Sequence, residues 1–355
     1  MSVLDTENLI TKLDKNGMLQ SINDFPDQIE SAWKQMKNFT VPTHYIKCDK
    51  IVILGMGASG VGGDLIGALA INYNKAPVYI HRDYGIPNFV DSTTLVIACS
   101  YSGNTEETLD GFNKAAEKNA KLVAITTGGQ IEALCRKYRA PMFKIEYGST
   151  PRAALGYLFT AVLAILHKLD FIALGTNEVS EAIEAIKVMQ KKVGFEIQTS
   201  QNPAKRLALK LEGTIPIIVG GGSLSVVARR WKTQINENAK QAAEFEVFPE
   251  LCHNMVIGLD FPKKLSNEIF VLILESEFDH PRNRLRETVI HEIFRKKGIN
   301  YEVITVESPL SPLIEMLQII MFGEYLSYYV GILNGVDPSP NVMIDYLKER
   351  LAENK

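Results

Sequence analysis

Cysteine is scarce in this chain: Cys48, Cys99, Cys135 and Cys252 are all there is in 355 residues. None stands in C-x-x-C, and no histidine accompanies one at metal-ligand spacing, which argues against a zinc site. Four in a chain this long also make no disulfide framework. Charge of one sign is missing too. With 38 basic against 41 acidic residues and a net charge of −3, there is no basic excess for nucleic acid and no charge block of the interaction-tail kind. No run of about 18 apolar residues offers itself to a membrane. The opening MSVLDTENLITKLDK carries acids where a signal peptide needs a basic and then an apolar run. These absences predict a soluble, reduced, cytoplasmic protein with no metal, and with neither nucleic acid nor membrane among its partners.

What the chain does have is an ordinary globular balance, 46% hydrophobic and 22% charged, and enough length for two cores. Residues 1–40 read as helices, with apolar residues at three- and four-residue spacing. From residue 51 short apolar runs (IVIL, PVYIH, TTLVIACS, KLVAITT, MFKIEY) alternate with helical stretches, which argues for a parallel sheet covered on both faces. Residues 176–205 read as a connecting helix. The opening pattern then returns. TIPIIVGGGSLSVVARRWKTQ is again strand, glycine turn, helix, with Gly220 to Ser223 where Gly55 to Ser59 stood, and IFVLILES and INYEVITV follow. The predicted fold class is α/β: two similar domains, each a mainly parallel sheet flanked by helices. The predicted boundaries are 1–40 for the N-terminal helices, 41–175 for the first domain, 176–205 for the connection, 206–335 for the second domain and 336–355 for a C-terminal helix.

Four stretches carry chemistry. IVILGMGASGVGGDL spells G-x-G-x-x-G through Gly55, Gly57 and Gly60 ahead of a helix. Such a turn cradles an anion at a helix N-terminus, and Asp83, about 20 positions on, suits a dinucleotide reading. ACSYSGNTEETLDGF then places Ser100, Ser102 and Thr105 between a buried strand and a helix, where hydroxyls and helix-start N–H groups can meet one anion. A dinucleotide fold has no use for this second hydroxyl loop; a phosphate monoester held between it and Ser59 does. Asn104 followed by Glu107 also satisfies a capping box, but a cap needs only one side chain. In INENAKQAAEFEVFPELCHNM, Glu237 ends a polar helix and His253 lies in a turn preceded by proline. Each alone reads as a solvated or packed residue; together they offer an acid and a base to a site closed by the duplicated halves. Arg152, in GSTPRAALGY, stands at a helix start, an odd place for a cation. It is either a salt-bridge arginine or a charge set over a developing oxyanion. His167, in an apolar helix, reads as a packed residue.

GMGASG, SYSGNTEETL, TPRAAL, NENAK and PELCHN, in this order, resemble the bifunctional phosphoglucose/phosphomannose isomerases, two-domain members of the SIS (sugar isomerase) superfamily. The resemblance runs from about residue 40 to the C-terminus. It implies two SIS-type domains, with substrate phosphate on Gly57, Ser59, Ser100, Ser102 and Thr105. It makes Glu237 the catalytic base, His253 the residue that opens the sugar ring, Arg152 the cation beside the enediolate and Lys348 a contact to ring oxygen or hydroxyls. Asn341 stands where a relative carries threonine, so the contact that lets the sugar rotate departs from the family pattern. The resemblance further implies interconversion of fructose 6-phosphate with glucose 6-phosphate and mannose 6-phosphate without a cofactor. It also implies a homodimer whose shared sites take His253 from the partner chain. The competing expectations are a non-catalytic SIS sugar-phosphate sensor, an isomerase of another sugar phosphate such as an amino sugar phosphate, and a nucleotide-dependent oxidoreductase built on Gly55 to Gly60.

Overall fold

The structure, a computed structural model, describes residues 2–73 and 75–353. The chain forms two compact units that are not continuous in sequence. One comprises Asn23–Lys187 and Pro309–Leu317; the other comprises Val188–Ser308 with the described parts of Met1–Ile22 and Gln318–Lys355. The N-terminal helices are thus shared out between the units. The predicted single connection is two helices, Glu178–Val193 and Pro203–Leu211.

In the first unit, β1 (Lys50–Leu54), β2 (Val78–His81), β3 (Thr94–Cys99), β4 (Lys121–Thr126) and β5 (Met142–Lys144) form one sheet in the order β2-β1-β3-β4-β5. Every pairing is parallel. β3 is TLVIAC with all its residues buried, as a central strand covered on both faces must be. One face carries a core of Val52, Leu54, Val96, Ala98 and Phe112 with Ile131. Helix Leu155–Lys168 is apolar nearly all round and packs against both Phe25–Asn38 and Gly57–Tyr73. Glycines set that last contact. A Cβ on Gly62 would stand 3.3 Å from the Phe159 amide nitrogen, and one on Gly63 3.0 Å from Ile53 Cγ2, so GVGG lets the helix lie close to sheet and neighbour alike.

In the second unit, β6 (Ile215–Gly220), β7 (Glu244–Val247), β8 (Ile269–Leu274) and β9 (Asn300–Ile304) form a parallel sheet in the order β7-β6-β8-β9. β8 is the fully buried centre. Sequence reading passed over β7 because EFEV alternates acid with apolar residues. That pattern belongs to a half-buried edge strand. The second sheet repeats the order of the first sheet's β2-β1-β3-β4 without a counterpart of β5, so the two similar α/β domains are present.

Helix Pro312–Leu333 is long and apolar enough to cross a membrane by length and composition, although Glu315 and Glu324 interrupt it, and 89% of its most apolar window is buried in the protein. No other described helix passes that test.

Candidate active site

In the order β2-β1-β3, the chain leaves β1 to one side and returns on the other, so the crevice beyond the carboxyl ends of β1 and β3 is the switch point where open α/β sheets bind ligands. Leu54 pairs with Ala98 across those strands, so the turn after β1 and the loop after β3 leave the sheet side by side. These are the glycine turn and the hydroxyl loop. Helix Gly57–Tyr73 begins within the turn, and Gly57 has φ +49, a left-handed conformation with open space at its Cβ position. Gly55 and Gly60 serve the bend: a Cβ on Gly55 would stand 3.1 Å from the Cys99 carbonyl oxygen, and one on Gly60 2.5 Å from that of Gly55. Ser59 is buried, and its Oγ accepts the Tyr101 N–H at 3.3 Å, tying the two loops together.

Ser100 Oγ and Thr105 Oγ1 lie 3.0 Å apart, Ser102 is exposed with its Oγ accepting the Asn104 N–H at 3.3 Å, and helix Glu106–Glu117 starts just beyond. The capping box is not formed. Thr105, not Asn104, is the N-cap and makes no side-chain cap bond; Asn104 Oδ1 instead accepts the Gln130 N–H at 3.0 Å, capping the helix Gln130–Tyr138 next door. The helix Glu106–Glu117 thus starts beside three hydroxyls with no side-chain cap from Thr105, an anion-binding arrangement. Asp83, the acid that a dinucleotide would need, is exposed, and its carboxylate accepts the following Tyr84 N–H at 2.7 Å. The residue at the strand end is Arg82, paired with Asp64 at 2.5 Å and donating to the Gly60 carbonyl at 2.9 Å.

Arg152 lies in a 3-10 turn, Pro151–Ala154, that packs against helix Gly57–Tyr73 and leads into Leu155–Lys168; its side chain is buried. His167, expected to be packed, is instead exposed at the end of its helix and lines a cavity; its Nδ1 is 3.2 Å from the Ile172 carbonyl oxygen and its ring lies 5.8 Å from that of Trp33.

In the second unit, Glu237 is on the last turn of helix Leu224–Ala239. Its Oε2 accepts from Asn341 Nδ2 at 2.9 Å. Lys240, in the left-handed conformation, donates to the carbonyls of Glu237, at 2.5 Å, and Pro338, at 3.0 Å, so the DPSPN segment is fastened to the end of that helix. Sequence reading marked Asn341 as a departure; the structure shows it touching the carboxylate. His253 ends the 3-10 turn Glu250–His253 and is exposed. Exposed Ile257 and Phe261 follow it, 72% and 70% accessible. Lys348 is on helix Val342–Ala352, its side chain 72% exposed.

The second sheet has its own switch point, between β6 and β8, with its own glycine turn. This one is filled from within. A Cβ on Gly221 or Gly222 would run into the two carboxylate oxygens of Asp279, so the glycines make room for that side chain. Asp279 is buried and its carboxyl is raised above the usual range by burial; Glu287, hydrogen-bonded to it, is pushed up to about 8 by burial and by the charges of Glu275 and Asp279. The two turns look alike in sequence, yet only the second has a carboxylate set against its glycines.

Among the described residues no group of three or more His, Cys, Asp or Glu could hold a metal ion. Two cavities of about 660 and 590 Å³ lie elsewhere and have none of the predicted site residues in their walls. Topology and polar groups mark the site, not cavity size.

Residues 44–139 match the SIS domain family, and residues 200–351 match the bacterial phospho-glucose isomerase C-terminal SIS domain. A bifunctional phosphoglucose/phosphomannose isomerase of Caldicellulosiruptor bescii is 39% identical over 341 residues, which is 95% of this chain and 100% of that protein. One from Thermoplasma volcanium is 36% identical over 86% of this chain and 92% of its own. Among solved structures, the C-terminal domain of glucosamine-fructose-6-phosphate aminotransferase from Francisella tularensis superposes with a TM-score of 0.71 at 17% identity, covering 91% of this chain and 98% of its own, a likeness of fold.

Proposed function

This chain belongs to the bifunctional phosphoglucose/phosphomannose isomerase family, and on that premise we propose that it interconverts fructose 6-phosphate with glucose 6-phosphate and mannose 6-phosphate. At the level of class it is a SIS-domain phosphosugar isomerase. The observation that carries the finer reading is the pair of hydroxyl-bearing loops at the β1/β3 switch point, with Ser59, Ser100, Ser102 and Thr105 grouped at two helix starts. They suit a phosphate monoester, whose binding energy then orients the reacting end of the sugar.

In this reading His253 trades protons with the ring oxygen and the anomeric hydroxyl, so that the sugar opens. Glu237 takes a proton from C1 of the ketose and returns one to C2, and Arg152 holds the charge of the cis-enediolate between the two steps. A guanidinium in that role asks for no metal. Lys348 contacts ring oxygen or hydroxyls. Mannose 6-phosphate arises when the enediol turns about C2–C3 and presents its other face to Glu237. Asn341 keeps the base carboxylate aimed as an alternative donor to the threonine of a relative. The exposed setting of His253, beside apolar Ile257 and Phe261, supports a homodimer in which this histidine serves the partner's site.

Purified protein incubated with fructose 6-phosphate, with the products separated over time, is expected to form both aldoses. Binding without turnover would favour a sugar-phosphate sensor, and turnover of amino sugar phosphates alone would favour another isomerase.

A further inference from the structure

Arg152 sits in a stretch with little regular structure, residues 145–154, whose backbone must be held by something other than the sheet. Two buried side chains hold it. Before Arg152, the Tyr101 phenol donates to the Tyr147 carbonyl and accepts the Ser149 N–H at 3.0 Å. After Arg152, Gln28 donates from Nε2 to the Ala153 carbonyl at 2.7 Å, and its Oε1 accepts the Gly156 N–H at 3.1 Å. Gly156 makes room for this: a Cβ there would stand 2.6 Å from Gln28 Cβ. Gln28 is 2% exposed, so both ends of its amide face protein and find partners there. Asp24, just before the same helix, accepts from the Tyr147 phenol at 3.0 Å and adds a third tie.

Tyr101 is also the residue at which the loops converge. Its N–H donates to Ser59 Oγ, and its carbonyl accepts from Thr127 N at 3.0 Å and Thr127 Oγ1 at 2.6 Å. With the phenol's two bonds, this one residue touches the loops that follow β1, β4 and β5 from within the loop that follows β3. Ring packing alone asks only for phenylalanine; the hydroxyl is spent on the segment that leads to Arg152.

We propose that Tyr101 and Gln28 are positioning residues that brace Arg152 from either side and fix its guanidinium relative to the phosphate loops. The helix Phe25–Asn38 is then part of the catalytic apparatus rather than a cover. The inference rests on the role proposed above for Arg152. A displacement of about 1 Å in such a group is enough to cost on the order of 100-fold in rate.

The test is Tyr101→Phe and, separately, Gln28→Met, each assayed for kcat and KM on fructose 6-phosphate. Two inhibitors complete it: inorganic phosphate, which reports on the hydroxyl loops, and a phosphorylated hydroxamate that mimics the enediolate. The expected result is a kcat about 10- to 100-fold lower and a matching loss of hydroxamate affinity, with the phosphate inhibition constant within about twofold of the parent protein. In an Arg152→Ala background, Tyr101→Phe is expected to add nothing, because the group it positions is gone. A merely structural role would lower the melting temperature and the active fraction but leave the ratio of the two inhibitor affinities alone. That outcome, equal losses for both inhibitors, or full additivity with Arg152→Ala overturns the proposal. If Tyr101→Phe does not fold, Gln28→Met and the same ratio decide. An Arg152→Ala protein with undiminished kcat overturns the reading of Arg152 itself, whatever the two braces do.

Discussion

At the scale of single residues, the phosphate reading turns on hydroxyls that ordinary capping does not need. Ser100 and Thr105 are 3.0 Å apart and Ser102 is exposed beside them. A hydrogen bond to a charged group contributes roughly 1.5–3 kcal/mol. Ser102→Ala with Thr105→Val is therefore expected to raise KM for fructose 6-phosphate by about 10- to 100-fold with a smaller change in kcat. An unchanged KM would place the phosphate elsewhere. These residues were legible in the sequence because hydroxyl chemistry is written in residue type. Tyr101 and Gln28 were not, since a buried tyrosine and a buried glutamine read as core and surface until their partners, far off in sequence, are known. Asn341 falls between: its departure from the pattern was visible, but its bond to Glu237 was not.

At the scale of elements, glycine turns and strand pairing carry the site. The sequence shows two glycine turns of similar spelling, and the repeated strand–turn–helix pattern was enough to predict two parallel sheets. It could not show that Asp279 fills the second turn, because that contact spans the loop after β8. The filling has a consequence for stability. Glu287, on helix Pro281–Lys297, has its carboxyl raised to about 8 by burial and by the neighbouring carboxylates Glu275 and Asp279. A raised carboxyl binds its proton more tightly in the folded chain, so its contribution is fully present below about pH 4.5 and is lost as pH rises towards 8. The swing is at most roughly 5 kcal/mol. Glu287→Gln is expected to raise the melting temperature at pH 8–9 relative to the parent protein and to flatten its decline above pH 5. Parallel curves for the two proteins would contradict this assignment. Glu275 and Asp279, raised in the same direction, leave some slope behind.

For the whole molecule, the exposed apolar residues matter most. Ile257 and Phe261 are exposed near His253, and Met343, Leu347 and Leu351 are exposed on helix Val342–Ala352 with Lys348. Composition could not foretell this, since it counts apolar residues without saying which lie outside a core. With the proposed homodimer, light scattering is expected to give twice the 39.6 kDa chain mass. Ile257→Glu combined with Phe261→Glu is expected to give monomers with little activity; monomers that keep full activity would contradict sharing of His253. Isomerisation itself is tested most directly in heavy water. The protein is incubated with fructose 6-phosphate in D₂O, and proton NMR follows C2 of glucose 6-phosphate and mannose 6-phosphate. Proton transfer through Glu237 predicts solvent deuterium at C2 of both products and its loss, by about 100-fold or more in rate, in Glu237→Gln. Products free of deuterium, or undiminished exchange in Glu237→Gln, would contradict the account.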